Sequence, residues 1–280
     1  MNQSLEKLLD GFADDQIEEG RADNTISAYR GDIIQFVAAV GMPDAWNTKA
    51  VEDFKKGLLA QRTAISTINR RVIAVRRFIK FLNENGFAVN AKCRTVKIQS
   101  QDFLQDVITA DDTEKIIRAA IERKDYLTWA IIATLQKTGG RISEVLQLRV
   151  GDIGKPKVQV IGKGGKVRSL LVPPSLTSIL QLYAGERSEA NQSLFMNPKT
   201  GRAYTRQRID QIIKKYAKLT RVKRAKAHAH SFRHQHGQRL KALGLTSENI
   251  AEIDGHNSTK TTDIYTKLTE RELMAFIDKL

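Results

Sequence analysis

Apolar positions three and four residues apart mark most of this chain as helical. In "TISAYRGDIIQFVAAVG" the positions Ile26, Tyr29, Ile33, Phe36 and Val37 recur at that spacing. Asp23 and Asn24 are good capping types before it, and Gly41 with Pro43 ends it. Ile65, Ile68, Val72, Val75, Ile79 and Leu82 form a second stripe, which Asn85-Gly86 closes. Periodicity is then lost over residues 91–106, which reads as a linker. Beyond it Thr109 or Asp111 caps a helix through "TEKIIRAAI". The run "YLTWAIIATLQKTGG" predicts a buried helix stopped by Gly139-Gly140, and "RISEVLQLRV" predicts another. In "KVQVIGKGGKVRSLLV" the period switches to two, predicting a hairpin with strands near 157–161 and 167–172 and "GKGG" at its turn. Helices resume at about 175–184, 205–219, 231–243, 246–254 and 270–279. The expected fold is mainly α with a small antiparallel β element. A helical domain spans 1–90, and a mixed α/β domain spans 107–280 with a tail helix at 270–280.

Composition narrows the class. The 280 residues suffice for two domains, and 41% hydrophobic with 28% charged content is that of a soluble globular protein. No apolar run reaches the roughly eighteen residues of a membrane span, and the start lacks the features of a secretory signal. The single cysteine, Cys93, excludes an internal disulfide or a CxxC zinc site and suits a reducing cytoplasm. Formal net charge is +15, so the expected partner is an acidic polymer, with nucleic acid ahead of a membrane surface. The charge is also uneven. Residues 1–53 carry 4 basic and 11 acidic side chains, whereas residues 55–100 carry 11 basic and only Glu84. Arg70, Arg71, Arg76, Arg77 and Lys80 share a helix with no acid among residues 62–83, which predicts a helix facing DNA phosphates.

Four of the five histidines lie in "HAHSFRHQH": His228, His230, His234 and His236. Taken alone, the cluster fits a metal site, a catalytic site or an accident of composition. HExxH spacing is absent, and no carboxylate or thiolate lies within the cluster, which weighs against zinc. "GKGGK" lacks phosphate-loop spacing and falls between strands.

The order of motifs is more specific than any one of them. "TGGRISEVLQLRVGDI", "VIGKGGKVRSLLVP", "HSFRH" and "DGHNSTKTTDIYTK" follow one another. In this order they resemble the tyrosine recombinases, the phage-integrase family. The resemblance is strong over residues 109–270 and weaker over the helical first hundred. It implies a SAM-like core-binding domain followed by a catalytic domain that breaks and rejoins DNA through a 3′-phosphotyrosine. By position it implies that Arg141 and Arg233 grip the scissile phosphate and that Lys163 protonates the leaving 5′-oxygen. His230 and His256 fill the two histidine positions, Glu144 is the supporting acid, and Tyr265 is the nucleophile. Lys166 rivals Lys163. Neither metal nor other cofactor is implied. Gly140 stands where the family has a bulkier apolar residue, and Asp254 where an apolar residue precedes Gly-His.

The chemistry agrees with these roles. Guanidinium groups suit the equatorial charge of a reacting phosphodiester. A tyrosine with a pKa near 10 is phenolate about one time in a thousand at neutral pH, a deficit of about 4 kcal/mol that nearby cations and a histidine acceptor can offset. Two alternatives stand beside a recombinase: a type IB topoisomerase-like relaxing enzyme and a non-catalytic DNA-binding regulator. "ERELMAFIDKL" favours the recombinase, because Leu273, Phe276, Ile277 and Leu280 form an apolar stripe. In the family such a tail docks into a neighbouring protomer, which implies a synaptic tetramer on a double-stranded DNA site. The chain begins at the helical domain, with no room for an arm-site-binding domain. That suggests a bacterial, cytoplasmic and nucleoid-associated enzyme that resolves dimers or cointegrates or integrates a small mobile element.

Overall fold

The computed structural model describes residues 3–97 and 107–255. Contacts divide the chain into two compact units, Met1–Gln101 and Asp102–Leu280. Within the described residues no helix is long and apolar enough to cross a membrane.

The first unit contains α1 (Gln3–Glu18), α2 (Asp23–Val40), α3 (Thr48–Ala60) and α4 (Ile65–Glu84). The α4 stripe is its spine: Ile68, Val72, Val75, Phe78, Ile79 and Leu82 are all buried. Edge-to-face pairs surround it, Phe12 on Phe78 at 5.2 Å and Phe36 on Trp46 at 4.9 Å between ring centroids. Such pairs add about 0.5–1.5 kcal/mol beyond their buried area. The start of α2 differs from expectation. Its N-cap is Ala22, without a side-chain bond, and Asp23 is the first helical residue, where its charge complements the helix dipole. Residues 91–97 have no regular structure but are fastened to α4. Asn69 and the backbone of Val96 exchange hydrogen bonds of 2.7 and 3.1 Å, Arg76 Nε donates to the Cys93 carbonyl at 3.0 Å, and Cys93 itself is buried.

In the second unit, α5 (Ala110–Glu122) opens with a capping box between Thr109 and Asp112. Next comes α6 (Tyr126–Thr138), capped by Asp125 and apolar nearly all round, as a buried central helix should be. It packs against α5, α8 (Pro174–Ala184) and α10 (Ala229–Ala242). Between α6 and α8 lie α7 (Ile142–Val145) and the hairpin of β1 (Lys157–Ile161) and β2 (Val167–Leu171), paired from Lys157↔Leu171 to Ile161↔Val167. The strands fall where alternation predicted them. The helix expected over "RISEVLQLRV" is shorter than expected. After Leu146 the backbone turns away to pair with a neighbouring loop, Leu194 N–H donating to Leu148 O at 2.8 Å and Val150 N–H to Gln192 O at 3.0 Å. The described residues end with α9 (Arg206–Leu219), α10 and α11 (Ser247–Asp254). The expected tail helix 270–280 lies outside them.

Candidate active site

Gly139 ends α6 in the left-handed conformation, at φ 61°, and turns the chain so that Arg141 caps α7. Arg141 is tied to Glu144 twice. Its N–H donates to Oε2 at 2.7 Å, and its guanidinium donates to Oε1 at 2.9 Å. Glu144 is fully buried, and a second guanidinium, Arg168 of β2, donates to Oε2 at 2.7 Å. A third, Arg233 of α10, lies 4.0 Å from Oε2. Burial pushes the Glu144 carboxyl up, but hydrogen bonds and charge from Arg168 and Arg141 outweigh it and hold the group below its usual value. One carboxylate therefore collects arginines from a helix, a strand and a second helix.

Arg233 is only 1% exposed. It donates to the carbonyls of Gly139 and Asp254, the latter at 2.7 Å, and stands 3.9 Å from the Asp254 carboxylate. A guanidinium has five N–H donors, so these two carbonyls fix its plane without exhausting it. Asp254 is fully buried.

His230 sits one turn before Arg233 on α10. Burial, then the charges of Arg233, His228 and Arg141, lower its pKa, so at neutral pH the imidazole is uncharged and able to accept a proton. The other histidines of the cluster disperse. His228 caps α10, accepting from Ser231 N–H at 3.3 Å. His234 lies edge-on to His230 at 4.3 Å between centroids. His236 reaches back to the Gln136 carbonyl at 2.7 Å and stands 3.8 Å from Asp254. Among the described residues no group of three or more His, Cys, Asp or Glu side chains is placed to hold a metal ion.

Arg141, His230 and Arg233 share one cleft of about 490 Å³, with Arg206, Gln207 and Asp210 of α9 on its far wall. The backbone of Lys163 lies in the turn between β1 and β2, where Gly164 has φ 74° and Gly162 N–H closes onto Lys166 O at 2.7 Å. His256 and Tyr265 lie outside the described residues.

Comparison with known proteins follows the same division. Residues 106–272 match the model described as "Phage integrase family", and residues 9–86 match "Phage integrase, N-terminal SAM-like domain". The chain belongs to the phage integrase family. It is a site-specific recombinase of the tyrosine type. A tyrosine recombinase XerC of Roseiflexus castenholzii is 30% identical over 289 residues, covering 96% of this chain and 90% of that protein. One from Herpetosiphon aurantiacus is 29% identical, covering 96% and 92%. The fold is that of the XerH recombinase in a post-cleavage complex with difH DNA (TM-score 0.71, 18% identity, 90% and 78% covered). It is also that of a λ integrase tetramer on a Holliday junction (TM-score 0.70, 14% identity, 93% and 76% covered).

This recombinase accommodates its two departures from the family pattern. A Cβ at Gly140 would lie 3.0 Å from both Leu170 Cδ1 and Val145 Cγ2, so neighbouring side chains already fill that space. Asp254, in place of an apolar residue, is a buried counter-charge beside Arg233 and His236. The sequence reading missed Arg168 and the α9 wall. The one available signal for Arg168 was a lone cation in a short, otherwise largely apolar strand.

On α4 each of the five cations has a partner within the first unit. Acids missing from the body of the helix come from elsewhere in the first unit, Asp32 on α2 and Glu19 just after α1. Arg70 and Arg71 both pair with Asp32 of α2, the latter at 3.6 Å, and Asp32 is only 3% exposed. Arg77 donates to Glu19 at 2.8 Å, and Lys80 lies 3.8 Å from Glu19 and 3.5 Å from Glu84. Arg76 is held by Cys93 O. Arg70 and Arg71 thus share one buried acid, whereas the acids that pair with Arg77 and Lys80 are themselves partly exposed, so those pairs are weak.

Proposed function

We propose that Tyr265 attacks the scissile phosphorus while Arg141 and Arg233 bind its non-bridging oxygens. Carrying this reading is the cleft that gathers Arg141, His230 and Arg233 around buried Glu144. Donors held rigid by Glu144, Gly139 O and Asp254 O need no reorganisation as charge develops, which is how fixed cations lower such a barrier. Neutral His230 accepts the phenol proton or donates its N–H to a non-bridging oxygen, and His256 supplies the second imidazole. Lys163 gives its proton to the departing 5′-oxygen. In the reverse step that 5′-hydroxyl attacks the phosphotyrosine, Lys163 takes the proton back, and Tyr265 leaves, so bond count is conserved and no nucleotide cofactor is consumed. The test is denaturing capture of protein on DNA of its own replicon, with sequencing of the attached ends and mass spectrometry of the linked peptide. A 3′-phosphate on Tyr265 is expected; attachment to another residue or to a 5′-end overturns the assignment.

The substrate is double-stranded DNA bearing two recombination sites, and four protomers assemble on it. DNA in the XerH complex and the λ integrase tetramer on a junction support this, as do the chain's own charge and its near end-to-end match to the XerC relatives. The same observations favour exchange between sites over simple relaxation of DNA. The biological role is the resolution of dimers or cointegrates or the integration of a small element. Residues 1–90 form the core-site clamp, 91–106 join it to the catalytic domain 107–280, and the stripe Leu273, Phe276, Ile277 and Leu280 docks in a neighbour. Deleting residues 271–280 is expected to leave single-site binding intact and abolish two-site complexes in gel shifts; normal synapsis would exclude the docking role.

Of the five α4 cations proposed to face DNA phosphates, Arg77 and Lys80 have acid partners that are themselves exposed enough to give way to phosphate. Double charge reversal of Arg77 and Lys80 is expected to lower the slope of log K against log salt by about 0.9 for each phosphate no longer neutralised. Arg71→Ala is expected instead to lower the urea midpoint with the slope unchanged. Equal slopes in both variants would return α4 to a solvated face.

A further inference from the structure

The β1 edge that faces away from β2 is closed by one side chain. Gln147, just beyond α7, accepts from Ile161 N–H at 2.8 Å through Oε1 and donates through Nε2 to Ile161 O at 2.9 Å. Nε2 also donates to Ser143 O at 2.8 Å, and Gln147 N–H bonds Glu144 O at 3.1 Å, so the amide is anchored in the same turn that holds Arg141 and Glu144. A primary amide that satisfies both the N–H and the C=O of one residue imitates a third strand. It does so at the last residue of β1, two before Lys163. Gly162, the next residue, is close to Glu144: a Cβ there would stand 3.3 Å from Oε1. The base of the turn is therefore held by Gln147 and lies close to Glu144 of the same segment.

We propose that Gln147 is a positioning residue for Lys163, fixing the base of the hairpin turn in register with the arginine-bearing turn. The inference rests on the assignment of Lys163 as the acid for the leaving oxygen. A general acid contributes only when its proton lies within hydrogen-bond reach of the leaving atom, so loosening the base of its turn selectively slows that step. The two amide bonds matter here for geometry. A clamp that merely protected a sheet edge would affect folding or every step alike.

The test uses the full chain and two suicide duplexes carrying the site recovered by covalent capture. One has a normal phosphodiester at the cleavage position, and the other has its 5′-bridging oxygen replaced by sulfur, whose thiolate departs without a proton. Gln147→Leu keeps a similar shape and removes all three side-chain bonds. Cleavage of the normal duplex is expected to fall on the order of tenfold, a fraction of the general-acid effect, with binding unchanged in gel shifts. On the sulfur duplex it is expected to match the unmodified protein. Gln147→Glu retains the acceptor for Ile161 N–H but not the donor to Ile161 O, and is expected to fall between the two; it also serves if the leucine variant folds poorly. Equal slowing on both duplexes, or no slowing on either, overturns the positioning role. Lys163→Ala run in parallel separates the two assignments: if it is not rescued by sulfur, the acid assignment fails, whereas rescue of Lys163→Ala without rescue of Gln147→Leu condemns Gln147 alone.

Discussion

Tyr265→Phe is expected to bind the recombination site with unchanged affinity and to form no covalent DNA adduct. The substitution removes one oxygen, the nucleophile, while affinity comes chiefly from cation–phosphate contacts on both units. Burial pushes Tyr183 and Tyr216 up to about 12, the opposite of what an attacking phenolate needs. A loss of at least roughly a thousandfold in adduct yield is therefore expected, in line with removal of a covalent nucleophile. A denaturation-resistant protein–DNA band at normal yield from the variant would dismiss Tyr265.

Glu144→Gln is expected to cost about 3–5 kcal/mol of folding stability, the usual penalty for removing one partner of a buried ionic group. The amide is nearly isosteric, but Arg141, Arg168 and Arg233 lose the charge they share, and Arg168 and Arg233 have little access to water. Urea unfolding gives the magnitude, and pH gives the cause. The folded carboxyl titrates below its unfolded value of 4.5, so its contribution is fully present above that value and disappears as pH falls through the folded one. The stability of the variant is expected to be flatter across this acid window. If its pH curve runs parallel to that of the unmodified protein, Glu144 is not the ionised hub.

Much of this was legible in the sequence because it depends on spacing. The stripe of α4 and the β1–β2 hairpin follow from helical and strand periods, and the ordered motifs, through the resemblance they carry, pointed to the chemistry and to His230 and Arg233. What was not legible is what brings distant segments together. Nothing local to α4 says that Glu19 and Asp32 will meet its arginines, because those contacts span 58 and 38 residues. The same holds for Arg168, whose partner lies 24 residues earlier. "RISEVLQLRV" looked helical throughout because its apolar spacing permits a helix. Tertiary pairing with residues 192–194 won instead, giving the buried backbone better partners than another turn would.

Two glycines flank the site with no room to change. Both have positive φ, and a Cβ at Gly139 would overlap Asp254 Oδ1 and stand 2.5 Å from His236 Cδ2, while one at Gly255 would stand 2.5 Å from Arg168 Cδ. Selection for new target sites, in nature or in a mutagenised library, is expected to recover few variants at these positions. Retargeting would have to be found farther out, on surfaces such as α4 and the α9 wall, where replacing a side chain leaves the backbone under the two arginines untouched.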